Sequence, residues 1–123
     1  MNKVYIGLSA DVIHHGHINI LKIANAYGYV VLGILTNKAI SEYKDSPVTN
    51  FNQRKLVFKS IKYVNKIIPQ TTHDYTYNLK KLKPKYVIHG NDWKKGSQKL
   101  VREKVISTLK LWGGKLIEPK YTK

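Results

Sequence analysis

Three of the chain's five histidines fall within one turn, in the stretch "SADVIHHGH" from Ser9 to His17. His14 and His17 stand three residues apart and can face one space, with Gly16 between them giving the backbone room to approach a ligand. A helix starting here aims unpaired N–H groups and the positive end of its dipole at that space. These parts suit concentrated negative charge, such as a triphosphate. Imidazole N–H groups can also stabilise oxygens whose charge grows during phosphoryl or nucleotidyl transfer. Other chemistries compete for the same residues. His15 reads as partly buried packing. A metal site at spacing i, i+1, i+3 has only Asp11 as a nearby carboxylate, a poor set for zinc. Ser9 stands in no recognisable nucleophile elbow. Neither a Walker loop nor a GxGxxG fingerprint occurs.

The elements that position this turn are legible from pattern. "KVYIGL" (Lys3 to Leu8) reads as a buried strand, and "YVVLGIL" (Tyr29 to Leu35) as a second. Between them, from about Gly16 to Tyr27, Ile18, Leu21, Ile23 and Ala24 follow helical spacing, with Gly28 as the stop. Residues 50–61 read as a helix capped by Asn50 and Gln53. "KIIP" at Lys66 to Pro69, "YVIHG" at Tyr86 to Gly90 and "KLIE" at Lys115 to Glu118 read as further strands. Helices are expected at Tyr77 to Lys83 and Ser97 to Trp112. About five alternations of strand and helix predict an α/β fold: a Rossmann-like open parallel five-stranded sheet with helices on both faces. Ligands of such sheets bind beyond the carboxyl ends of the strands. The histidine turn and "HGNDW" both fall at that edge.

Composition bounds the partners. The 123 residues suit one domain, and no apolar run reaches the roughly 18 residues that span a bilayer. The absence of cysteine excludes disulfides and thiolate metal sites and fits a cytoplasmic location. Net charge is +15, which suits a polyanionic or phosphate-rich partner. Lysine is scattered along the chain, however, and the one local run, "KKLKPK" at Lys80 to Lys85, has no interleaved aromatics. Neither nucleic-acid binding nor membrane insertion is expected.

"SADVIHHGHINIL", "NQRKLVFKSIKYVNKIIP" and "HGNDW" together resemble, in order and spacing, three motif blocks of the small cytidylyltransferases in the HxGH nucleotidylyltransferase superfamily. Within that family, "VYIGLSAD", "HDYTYNLKKLKPKYVIHG" and "WGGKLIEPKYT" are most similar to the 2-aminoethylphosphonate branch, with glycerol-3-phosphate and phosphocholine cytidylyltransferases also similar. The resemblance implies attack of a phosphonate or phosphate oxygen on the α-phosphorus of CTP, release of pyrophosphate, and help from Mg²⁺ held mainly by the CTP phosphates. It makes His14, His17 and Lys44 the catalytic residues. Ser9, Ala10, Asp11, Gly16, Gly90, Asp92 and Trp93 would line the nucleotide site, as would Tyr121 and Thr122 at the approach to a closing motif. Lys44, Arg54 and Lys62 would meet the substrate. For an aminoalkyl substrate, Asp74, Tyr75 and Tyr77 stand after the third strand, where an anion and aromatic faces would hold an ammonium.

The chain also departs from the family pattern. Asn37, Asn65, Lys66 and Asn91 stand where the family keeps acidic residues, which removes anions that dimer salt bridges would use; the resemblance implies a homodimer with "KYVNKII" at the interface. The expectation for residues 1–123 is a single nucleotidylyltransferase domain, its sequence ending at Lys123 before the family's GIS(S/T)(S/T) motif and following helix.

Overall fold

The computed structural model describes residues 2–9, 13–42, 47, 49–94 and 96–120, with the side chains at 92 and 97 left out. Five strands form one parallel sheet in the order β3-β2-β1-β4-β5. They are β1 (Lys3–Leu8), β2 (Tyr29–Leu35), β3 (Lys66–Gln70), β4 (Tyr86–Ile88) and β5 (Lys115–Ile117). Helices α1 (His15–Tyr27), α3 (Phe51–Lys59), α4 (Thr76–Leu82) and α5 (Lys99–Lys110) connect them, with a short α2 (Asn37–Ser41) after β2. No helix among the described residues is long and apolar enough to cross a membrane.

Alternation along the strands sorts side chains into two cores, because successive residues face opposite sides of a sheet. Val4, Ile6, Leu32 and Ile34 pack with Leu21 and Ala24 of α1 and Phe58 of α3. Tyr5, Val31 and Val87 pack on the other face with Leu79 of α4 and with Val101, Val105 and Leu109 of α5. Helices therefore cover both faces, as the pattern predicts. The winding reverses between β1 and β4, which pair as Val4↔Tyr86 and Tyr5↔Val87. The turns leaving these two strands emerge side by side, so a crevice opens there at the carboxyl edge.

One polar cluster lies inside the second core. The Tyr5 hydroxyl donates to Gln70 Oε1 at 2.5 Å and accepts from Asn78 Nδ2 at 3.0 Å. Burial raises the Tyr5 pKa well above its ordinary value, against the opposing effect of the Asn78 bond. The ring crosses β2 at Gly33, where an added Cβ would lie 1.8 Å from the Tyr5 hydroxyl. Glycine is the residue that admits it.

Candidate active site

The two histidines of the turn build a reciprocal helix cap. His14 is the N-cap of α1, and its Nδ1 accepts from the Gly16 backbone N–H at 3.0 Å. His17 Nδ1 accepts from the His14 N–H at 3.1 Å. Two orphan donors of the first turn are thus satisfied by imidazoles in the geometry that Ser and Glu usually supply. The arrangement fixes the tautomer: each Nδ1 offers its lone pair, so each ring carries its proton on Nε2, the nitrogen directed away from the cap. The rings lie 4.0 Å apart at 35°, and His14 is exposed. No acidic residue occupies the first turn of α1. His15 is exposed at the first helical position, rather than packed as its sequence context suggests.

Other elements brace this edge from below. The Tyr75 hydroxyl donates to Gly7 O at 3.3 Å, and a Cβ on Gly7 would stand 2.7 Å from that hydroxyl. Ser9, half-buried, follows directly after β1. Beyond β4, Gly90 is buried and leads into a 3-10 turn, Asn91–Trp93. Trp93 is only 2 % exposed. It stacks on His89 at 3.6 Å and 3°, and its Nε1 donates to Glu118 at 2.8 Å. Glu118 also accepts from Arg102 Nε and Nη2 at 2.8 and 2.9 Å. Trp93 is therefore a buried strut that ties the β4 turn to the end of β5, not a ring laid open to a nucleoside.

The expected substrate residues are placed unevenly. Arg54 is 2 % exposed, and its guanidinium donates to Leu35 O, Thr49 O and Asn37 Oδ1. It holds the end of β2 to the approach to α3 and does not present itself to a substrate. Asn37, which replaces a family aspartate, accepts one of these bonds without charge. Lys62 is exposed just before β3, at the sheet's amino edge, opposite the histidine turn. Position along the chain alone did not reveal which end of a strand it would occupy. Tyr75 is 5 % exposed within the second core, and Tyr77 is 69 % exposed on α4, so these two rings do not form one face. Ala10, Asp11, Lys44, Tyr121 and Thr122, and the Asp92 side chain, lie outside the described residues.

Asp74 does reach the carboxyl edge. Its Oδ1 accepts from Thr76 N and Oγ1 at 2.9 and 2.6 Å, and its Oδ2 faces Lys104 Nζ at 3.3 Å. Partial burial acts to raise its pKa, but the Thr76 and Lys104 bonds outweigh this and leave it lowered. Asp74 lines a cavity of roughly 510 Å³ together with His73, Leu100, Glu103 and Lys104. A neighbouring contact escaped the sequence reading. Glu42 Oε1 accepts from Thr72 Oγ1 at 2.9 Å and from His73 N at 3.0 Å, and it faces His73 Nδ1 at 3.0 Å. These bonds lower the Glu42 pKa to about 2. Nothing local in the sequence marks a contact between residues 31 positions apart.

Among the described residues, no group of three or more histidines and carboxylates is arranged to hold a metal.

Comparison with known proteins fits this geometry. Residues 5–115 match the family described as cytidylyltransferase-like. The ethanolamine-phosphate cytidylyltransferase of Arabidopsis thaliana is 33 % identical over 96 residues, covering 73 % of this chain and 23 % of the plant protein. The FAD synthase of Archaeoglobus fulgidus is 34 % identical over 82 residues, 67 % of this chain and 60 % of that one. The glycerol-3-phosphate cytidylyltransferase of Bacillus subtilis is 32 % identical over 71 residues, 57 % of this chain and 55 % of the enzyme. The matched part thus spans about a quarter of the plant protein and less than two thirds of the other two. A solved structure, the lipopolysaccharide core biosynthesis protein from Thermoplasma volcanium, superposes with a TM-score of 0.80 over 100 % of this chain and 98 % of that one. At 21 % identity it shows a shared fold. By the match across residues 5–115 and the 3-2-1-4-5 sheet that carries the histidine turn, the chain belongs to the cytidylyltransferase-like family.

Proposed function

We propose that the chain transfers the CMP group of CTP to an oxygen of a small phosphonate or phosphate, with 2-aminoethylphosphonate as the favoured acceptor. An acceptor oxygen attacks the α-phosphorus, the bond to the bridging β-phosphate oxygen breaks, and pyrophosphate leaves with the electron pair. The observation that carries this reading is the reciprocal cap of His14 and His17 at the start of α1, whose Nδ1 acceptors leave Nε2 as the donor atom of each ring at the positive end of the helix dipole. Donors fixed in advance stabilise phosphate oxygens without reorganising during the reaction. Mg²⁺ bound to the triphosphate supplies further neutralisation of its charge. Lys44 adds a cation to the phosphates, and Asp74 is the anion on the acceptor side that favours an ammonium-bearing substrate.

The curated relatives name ethanolamine phosphate and glycerol 3-phosphate as acceptors, and the archaeal relative is an FAD synthase. Pyrophosphate release should therefore be measured with CTP and with ATP, against 2-aminoethylphosphonate, ethanolamine phosphate, glycerol 3-phosphate and riboflavin phosphate. The expected result is turnover with CTP and the aminoalkyl acceptors. Asp74→Ala should raise KM for the aminoalkyl acceptor and spare that for CTP. No pyrophosphate with any pair, from this chain or from one extended through the closing GIS motif, overturns the reading. We further propose a homodimer through residues 62–68, next to the exposed Leu56 and Val57 of α3; sedimentation that gives a monomer refutes it.

A further inference from the structure

Charge is sorted between the two edges of the sheet. Five segments reach the amino edge: 2–4, 27–29, 59–66, 80–86 and 110–115. They carry ten lysines and no Asp, Glu or Arg. Three of these lysines stand at the starts of adjacent strands, Lys3 and Lys85 before the Val4↔Tyr86 pair and Lys115 level with Tyr86. Lys85 N donates to Lys3 O at 3.0 Å, and Lys115 N donates to Lys85 O at 2.9 Å. All three side chains are exposed; Lys3 and Lys85 lie one strand spacing of about 4.8 Å apart on one face, and Lys115 points to the other. Like charges set side by side on neighbouring strands repel. Lys59, Lys80, Lys81 and Lys110 stand in last turns of helices, where they complement the dipoles. The lysines at strand starts have no such reason to be there.

Apolar groups stand among these charges. Leu111 is 70 % exposed on the turn after α5, a turn fixed by Trp112 Nε1 donating to Pro84 O at 2.8 Å. Tyr27 is 38 % exposed and packs edge-on against Tyr86 at 4.9 Å. Lysines flanking an exposed leucine and a tyrosine are the composition of an interfacial contact with anionic lipid. A nucleic-acid surface calls instead for arginine forks and open stacking faces. This edge has no arginine, and the Tyr27 ring is packed on another ring.

We propose that the amino edge of the β1-β4-β5 half of the sheet is a peripheral docking surface for an anionic bilayer. The six residues of β1 then hold the histidine turn about 20 Å above the lipid, facing the aqueous phase. The inference does not depend on the reaction assigned to that turn.

Sedimentation with phosphatidylcholine vesicles, with and without phosphatidylserine, tests it. Binding is expected only with phosphatidylserine and should be released by high salt. The triple variant Lys3→Glu/Lys85→Glu/Lys115→Glu should bind more weakly by at least about 100-fold. A second triple variant, Lys22→Glu/Lys55→Glu/Lys99→Glu, carries the same charge change on exposed helical positions away from this edge and should keep most of the binding. Equal loss in both variants would mean that net charge alone drives binding, and would overturn the proposal. So would no vesicle binding, or duplex DNA binding that is stronger than vesicle binding and lost in the first variant. Circular dichroism shows whether each variant is folded. If the first is not, Lys→Gln at the same three positions replaces it, with roughly 100-fold weakening expected.

Discussion

Replacing the histidine cap with an ordinary one separates its two roles. α3 of the same protein shows how: Gln53 N donates to Asn50 Oδ1 at 2.9 Å and Asn50 N donates to Gln53 Oε1 at 2.8 Å. The double variant His14→Asn/His17→Gln transplants that pair onto α1. Asparagine is among the best N-cap residues, so stability should stay within a few tenths of a kcal/mol of wild type. His14→Ala, by contrast, leaves the Gly16 N–H without its acceptor and should cost about 0.5–2 kcal/mol. Catalysis should follow the imidazoles and not the cap. Loss of one pre-set donor to a developing oxyanion typically lowers kcat by about 10²–10³, or roughly 2.7–4 kcal/mol. Urea denaturation gives the first quantity and pyrophosphate release from CTP the second. A transplanted cap that keeps turnover within about threefold of wild type would show the histidines to be structural and refute the reasoning.

Three further outcomes follow from the geometry. Gly33→Ala should destabilise the fold by about 1–3 kcal/mol in urea melts, since its Cβ collides with the Tyr5 hydroxyl and forces that buried network apart. Trp93→Phe keeps the stack on His89 but removes the donor to the Glu118 carboxylate; a loss of about 1.5–3 kcal/mol is expected, with little change in KM for CTP. For Glu42, the folded pKa of about 2 lies below the ordinary 4.5. Its contribution is therefore complete above pH 4.5 and disappears as pH falls towards 2. Glu42→Gln should flatten the acid limb of a stability–pH curve in that window, and an unchanged limb would count against the contact with Thr72 and His73.

Much of the architecture was readable because its signals are local. Alternating and continuous apolar runs set β1 and β2 to their observed bounds, and Asn50 with Gln53 announced the α3 cap. The five-residue α2, capped by Thr36, escaped because it is too short for periodicity to register. At the site, the histidine turn was legible from residue type and spacing, but the roles of the charged and aromatic residues were not. Arg54 and Trp93 carry functional-looking groups, yet their partners, Leu35 O and Glu118, lie 19 and 25 residues away. Only the folded chain shows that those partners occupy them. That Lys62 stands at the amino edge is hidden from the sequence for a similar reason. A motif block fixes position along the chain, whereas the edge depends on where the strand that follows begins.

The most direct test of the central claim is nitrogen NMR of the two imidazoles before and after addition of CTP with Mg²⁺. His14 and His17 should carry their protons on Nε2 in the free protein, and CTP should shift both Nε2–H resonances while each Nδ1 stays an acceptor. Protons found on Nδ1, or Nε2 signals indifferent to saturating CTP, would contradict it.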